Sequence, residues 1–139
     1  MTQENRQLLL KDLSARLPYY PKCEMIDELR VVNNEKDPSY MSTLFPKHIE
    51  LFSYHNNFTI KPYLRPMSSM TKEEQKEFVE FHCVTLCPLI MDTCLTIENE
   101  GNMFDWLNAH HFDYRGLIEK GLAIEVTEEN NPYKAQKGE

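Results

Sequence analysis

Leu9, Leu10, Leu13 and Leu17 fall at i, i+1, i+4 and i+8, a spacing that a helix gathers onto one face, and Pro18 stops it. The pattern predicts a helix over residues 5–17, with Arg6, Lys11 and Arg16 set away from the apolar stripe. Beyond the Tyr19-Tyr20-Pro21 corner the period changes. Lys22-Cys23-Glu24-Met25 alternates polar and apolar, as a half-buried strand does. A helical period followed at once by a strand period restricts the chain to folds that mix the two.

The next segments read as strands. Leu29 to Val32 follows a turn at Asp27-Glu28, and a polar loop spans Asn33 to Ser39. A third strand is expected near Ile49–Tyr54 and a fourth near Phe58–Lys61, joined by His55-Asn56-Asn57, where Asn suits a tight hairpin. Pro62 and Pro66 are expected to close this sheet, since proline cannot donate to a ladder. Thr71 with Glu74 three residues on is a capping box, and it predicts a helix reaching at least Phe81. The stretch from Cys83 to Ile97, interrupted by Pro88, leans towards helix. Met103 to His110 is a short amphipathic helix. Asp113 then caps a further helical turn, Tyr114 to Lys120, which ends at Gly121 in the left-handed conformation. Leu122 to Val126 adds an edge strand, and Thr127 to Glu139 is a polar, flexible tail. The expectation is one α+β domain over residues 1–126: an N-terminal helix, a small antiparallel sheet, and two or three C-terminal helices.

The 139 residues suit a single core. No apolar run is long enough to span a membrane, and Lys11 and Asp12 follow Leu8–Leu10 too soon for a signal sequence. The expected compartment is the cytoplasm, with the cysteines reduced and Asn57-Phe58-Thr59 of no account as a sequon. A net charge of −7 disfavours phosphate backbones, so nucleic acid is not an expected partner.

Two constellations carry chemistry. His82, Cys83, Cys87 and Cys94, with His110 and His111 downstream, offer zinc-type ligands. Their Cys-x3-Cys-x6-Cys spacing is not the paired Cys-x2-Cys of a zinc site, and buried thiols acting as small hydrophobes explain them better. His110-His111-Phe112-Asp113-Tyr114-Arg115 gathers acid–base groups. Adjacent helical residues diverge by about 100°, so both histidines share a site only if the helix ends there. The simpler reading has one His packing, Asp113 capping and Arg115 paired with a carboxylate. Four glycines leave no phosphate loop or dinucleotide fingerprint, and no cofactor is implied.

Three segments are distinctive: Leu9–Pro18, Lys61–Thr71 and Asp105–Ile118. Through them the chain resembles a family of small uncharacterised proteins of Bacteroides-like gut bacteria, often encoded in prophage or mobile-element regions. The resemblance implies an accessory protein inside a bacterium. It supplies no activity and no catalytic residues. The leading expectation is a non-enzymatic protein-interaction domain whose surface includes Tyr63, Arg65, Tyr114 and Arg115. The alternatives are a small enzyme or metal protein built on His110, His111, Asp113, Cys83 and Cys87, and a nucleic-acid-transaction factor.

Overall fold

The computed structural model describes residues 1–83 and 97–133, with side chains described over 1–78 and 103–133. Helix α1 runs from Gln3 to Arg16, opened by Thr2, whose hydroxyl accepts from Asn5 N. A short 3-10 turn over Leu17–Tyr19 carries Pro18 and ends at Tyr20 with φ 52°. Leu9 and Leu13 are fully buried, as the stripe predicts. Arg16 is not set apart from it. Arg16 and Asp12 are both 0% exposed, because the C-terminal segment covers a second face of the helix and turns its polar side inward.

Strand β1 (Lys22–Asp27) pairs antiparallel with β4 (Ser39–Thr43) and with β5 (Phe58–Pro66). Between β1 and β4 the chain projects a small separate hairpin, β2 (Val31–Val32) and β3 (Glu35–Lys36). Asn33 and Asn34 form its turn with φ of 53° and 67°, the left-handed pair that a tight hairpin needs. The expected polar loop is therefore a hairpin leading into a strand, β4, that the sequence reading missed.

The expected third strand is helix α2, Pro46–Tyr54. Its residues alternate well enough for a strand, but Pro46 fixes a helical φ at the first position. Phe45 N also donates to His48 Nδ1 at 3.0 Å, and His48 N to the Phe45 carbonyl at 2.9 Å. His48 is buried between the rings of Phe45 and Phe58, and burial, with Lys47 nearby, lowers its pKa, keeping Nδ1 free to accept.

The prolines do not close the sheet, and β5 runs through Pro62 to Pro66. Glu28 N bonds the Asn57 carbonyl, and counting along the ladder in twos from that bond turns the backbone groups of Pro62 away from β1. On the far side, pairing starts only at Tyr63, so no bond is forfeited. The last part of β5 pairs in parallel with β6 (Phe112–Asp113) and β7 (Ile124–Glu125), which makes the five-stranded sheet mixed rather than antiparallel.

Helix α3 (Lys72–Cys83) and helix α4 (Ile97–Ala109) supply the C-terminal helices, α4 starting earlier than its predicted first turn. The chain from Tyr114 to Lys120 forms turns instead of a helix. It still finishes as a helix would: Leu122 N bonds the Leu117 carbonyl, Gly121 N bonds that of Ile118, and Gly121 has φ 74°. The main core gathers Leu9, Leu13, Met25, Phe52, Ile60 and Leu64, and Trp106, Leu107 and Phe112 form a second cluster under α4. Among the described residues no helix is long and apolar enough to cross a membrane.

Candidate functional site

A cleft lies where β5 passes the end of α4, with Arg65 N donating to the His111 carbonyl at 2.7 Å. Arg65 on β5 lies with its guanidinium carbon 4.2 Å over the Phe112 ring and forks onto Glu74, at 2.7 and 2.6 Å. Glu74 also accepts from Thr71 N, while its own N–H meets the Thr71 hydroxyl, so the predicted capping box is present and tied to the sheet through Arg65. The Arg65 hydrogen bonds hold the Glu74 carboxyl at about 2, outweighing its partial burial, with Thr71 adding to the effect.

Helix α4 ends at Ala109, and that ending brings both histidines to the cleft. His111 adopts φ 63°, a conformation suited to Gly or Asn, with its N–H on the Asn108 carbonyl. The His110 ring stacks on Trp106 at 4.0 Å, and its Nε2 lies 3.6 Å from Glu77, which also accepts from Trp106 Nε1. The His111 ring stacks on Tyr133 at 3.9 Å. Its Nδ1 is buried without a hydrogen-bond partner among the described residues. Burial, then the charges of Arg16, His110 and Arg65, depress its pKa to about 4, so this imidazole is neutral at neutral pH.

Tyr133 is the far wall, and its hydroxyl is spliced into the sheet. It accepts from Lys22 N at 3.0 Å and donates to the Tyr63 carbonyl at 2.9 Å, bridging β1 and β5 where their ladder ends. The cleft encloses about 560 Å³ between Arg65, Glu74, His110, His111, Asn131 and Tyr133. A hollow of about 350 Å³, walled by Ser69, Val126, Thr127 and Glu128, also has Arg65 and Asn131 in its lining, so the two adjoin at these side chains. Together they present aromatic faces, imidazole edges, an amide and a charge-balanced ion pair. The Ser69 hydroxyl is engaged with the Pro66 carbonyl.

The remaining sequence candidates lie elsewhere. Asp113 is buried, its carboxylate accepting Leu117 N and Ile118 N at 2.9 Å each; it ties down the turns after β6 and does not cap the helical turn expected over residues 114–120, which does not form. Arg115 donates to Asp12 at 2.9 Å and to the Tyr114 hydroxyl at 3.0 Å, and Tyr114 donates to Asn108. Asp12 also takes Arg16 Nε at 2.7 Å, so one buried carboxylate serves two arginines. Arg16 further donates to the Phe112 carbonyl and lies 5.3 Å from the Tyr114 ring. Tyr63 is half-buried on β5. Of the four residues expected to share a surface, Arg65 alone lines the cleft.

The side chains of His82, Cys83, Cys87 and Cys94 lie outside the described residues, and among those that are described no three His, Cys, Asp or Glu side chains are placed to hold a metal. Cys23 is buried, and burial pushes its thiol up, keeping it protonated. The sequence reading missed Tyr133 and Asn131. The only signal was an aromatic beside Pro132 in an otherwise polar stretch. No protein-family model matches the chain, and no curated protein and no solved structure matches it significantly.

Proposed function

We propose that the protein is a non-enzymatic binding domain that takes an extended segment of a partner protein in the groove from Ser69 and Thr127 to His110 and Tyr133. One observation carries the reading: the groove is open, while the groups that form it are held by the fold. Arg65 is clamped on Glu74, Tyr133 is fixed in the sheet, and His111 is held neutral. Such pre-organised walls with aromatic faces favour recognition, because little side-chain freedom is lost on binding. The chain's charge of −7, with Glu77 and Glu128 exposed at the rim, favours a segment carrying Lys or Arg. The resemblance to small proteins of prophage and mobile-element regions accords with an accessory role of this kind.

The test is a peptide-display selection against the purified protein, followed by amide chemical-shift mapping of the selected peptides. They should move the resonances of Arg65, His110, His111 and Asn131. The double variant His110→Ala, Asn131→Ala should bind about tenfold more weakly, as expected for losing one aromatic and one polar contact. Selected peptides that shift only distant resonances would refute the assignment.

A second reading rests on His110 Nε2 at 3.6 Å from Glu77, a histidine–carboxylate pair at the cleft mouth. In this reading, a small acid–base enzyme, Glu77 takes the part that the sequence gave to Asp113 beside His110 and His111, because the Asp113 carboxylate is engaged with Leu117 N and Ile118 N.

A further inference from the structure

We propose that His110 is a proton-operated clasp between α3 and α4: with both ring nitrogens protonated it joins the Trp106 carbonyl to Glu77, and with a single proton it releases Glu77. Both neighbours of the ring are acceptors. Nδ1 lies 2.9 Å from the Trp106 carbonyl, which can only accept, so Nδ1 carries a proton. In the neutral imidazole this leaves Nε2 with a lone pair, 3.6 Å from Glu77 Oε1. Moving the one proton to Nε2 only transfers the mismatch to the Trp106 carbonyl. The imidazolium, with two N–H groups, satisfies both sides, and at this separation it forms an ion pair with Glu77. Its ring also stacks on the Trp106 indole at 4.0 Å, where the aromatic face attracts a cation.

Among the described residues, the titratable and charged groups around this ring are Glu74 and Glu77 on α3, Arg65 on β5, His111 just after the helix, and Tyr133. Arg65 and Glu74 neutralise each other through their fork. Burial, with the neighbouring cations, keeps His111 neutral, and burial keeps the Tyr133 hydroxyl protonated. The charge left facing the ring is the carboxylate of Glu77, which also accepts from Trp106 Nε1 at 3.0 Å. Histidine is the side chain suited to a change of charge around neutral pH. Release leaves α3 held by the Arg65–Glu74 fork and by the indole N–H, and it frees the His110 ring at the mouth of the cleft. The clasp does not depend on what the cleft binds.

The chain has one tryptophan, so indole fluorescence of the full chain reports this contact directly. Emission should fall as pH is lowered and the imidazolium forms against the indole face. Proton–nitrogen correlation spectra of the histidine rings should show the neutral form of His110 protonated at Nδ1. Glu77→Gln supplies an amide N–H to the neutral Nε2, and it should move the midpoint of the emission change to lower pH by about half a unit, the size of effect of a part-exposed ion pair. His110→Asn should abolish the emission change. An emission change that survives His110→Asn overturns the proposal. So does a midpoint unmoved in Glu77→Gln, or a neutral His110 protonated at Nε2.

Discussion

Asp12 is the residue on which most depends. It is 0% exposed and is the only carboxylate within reach of Arg16 and Arg115 among the described ion pairs. A buried cation stripped of its counter-charge is far more costly than one never buried, because the low-dielectric interior cannot solvate it. Asp12→Ala is therefore expected to destabilise the fold by about 3–5 kcal/mol in urea unfolding. The loss should exceed that of Arg30→Ala, whose pairing with Asp37 is half-exposed and screened by water. The sequence placed Arg16 on a solvated face because helical period alone reports which side is apolar. It does not report that a second layer covers the other side.

At the level of elements, ends were more legible than middles. The Thr71–Glu74 capping box and the Gly121 terminus are local chemistry, settled within a few residues, and both stand as read. Gly121→Ala tests the second. An added Cβ meets nothing within 4 Å, so the cost is conformational alone. A drop of about 1 kcal/mol in stability is expected from the left-handed φ. A neutral result would mean that the segment relaxes out of its helix-like ending. Residues 49–54 show the opposite case. Ile49, Leu51 and Phe52 fit either period, and Pro46 with the His48 contact to Phe45 decided for helix. Strand β7 falls within the edge strand expected over Leu122–Val126, but β6 and the parallel pairing of both with β5 had no local signature, because such short strands are defined by the partner they find.

Across the whole molecule, acid should undermine the fold in two stages. His111 titrates at about 4 when folded against its ordinary 6.5, so between these values the unfolded chain binds a proton that the folded chain refuses. Its contribution is fully present above 6.5 and is lost as pH falls through 4, to a total on the order of 3 kcal/mol. Glu74, about 2 when folded against 4.5, adds a contribution present above 4.5 and lost as pH falls towards 2. The melting temperature should begin to decline below about 6.5, and His111→Asn, which tolerates the left-handed backbone, should flatten the first stage. An unchanged slope in that variant would place the sensitivity elsewhere, with buried His48 the next candidate. By itself the sequence determined the α+β class, the N-terminal helix, the first strand and the capped third helix, because periodicity and end-capping act over a few residues. Only the tertiary structure decided the cleft. Arg65, His111 and Tyr133 are far apart in the chain, and what unites them is a parallel pairing at the end of β5, a helix that stops at Ala109, and a tyrosine hydroxyl inserted between two strands. Each of these is a long-range contact whose energy is realised only after the core has closed.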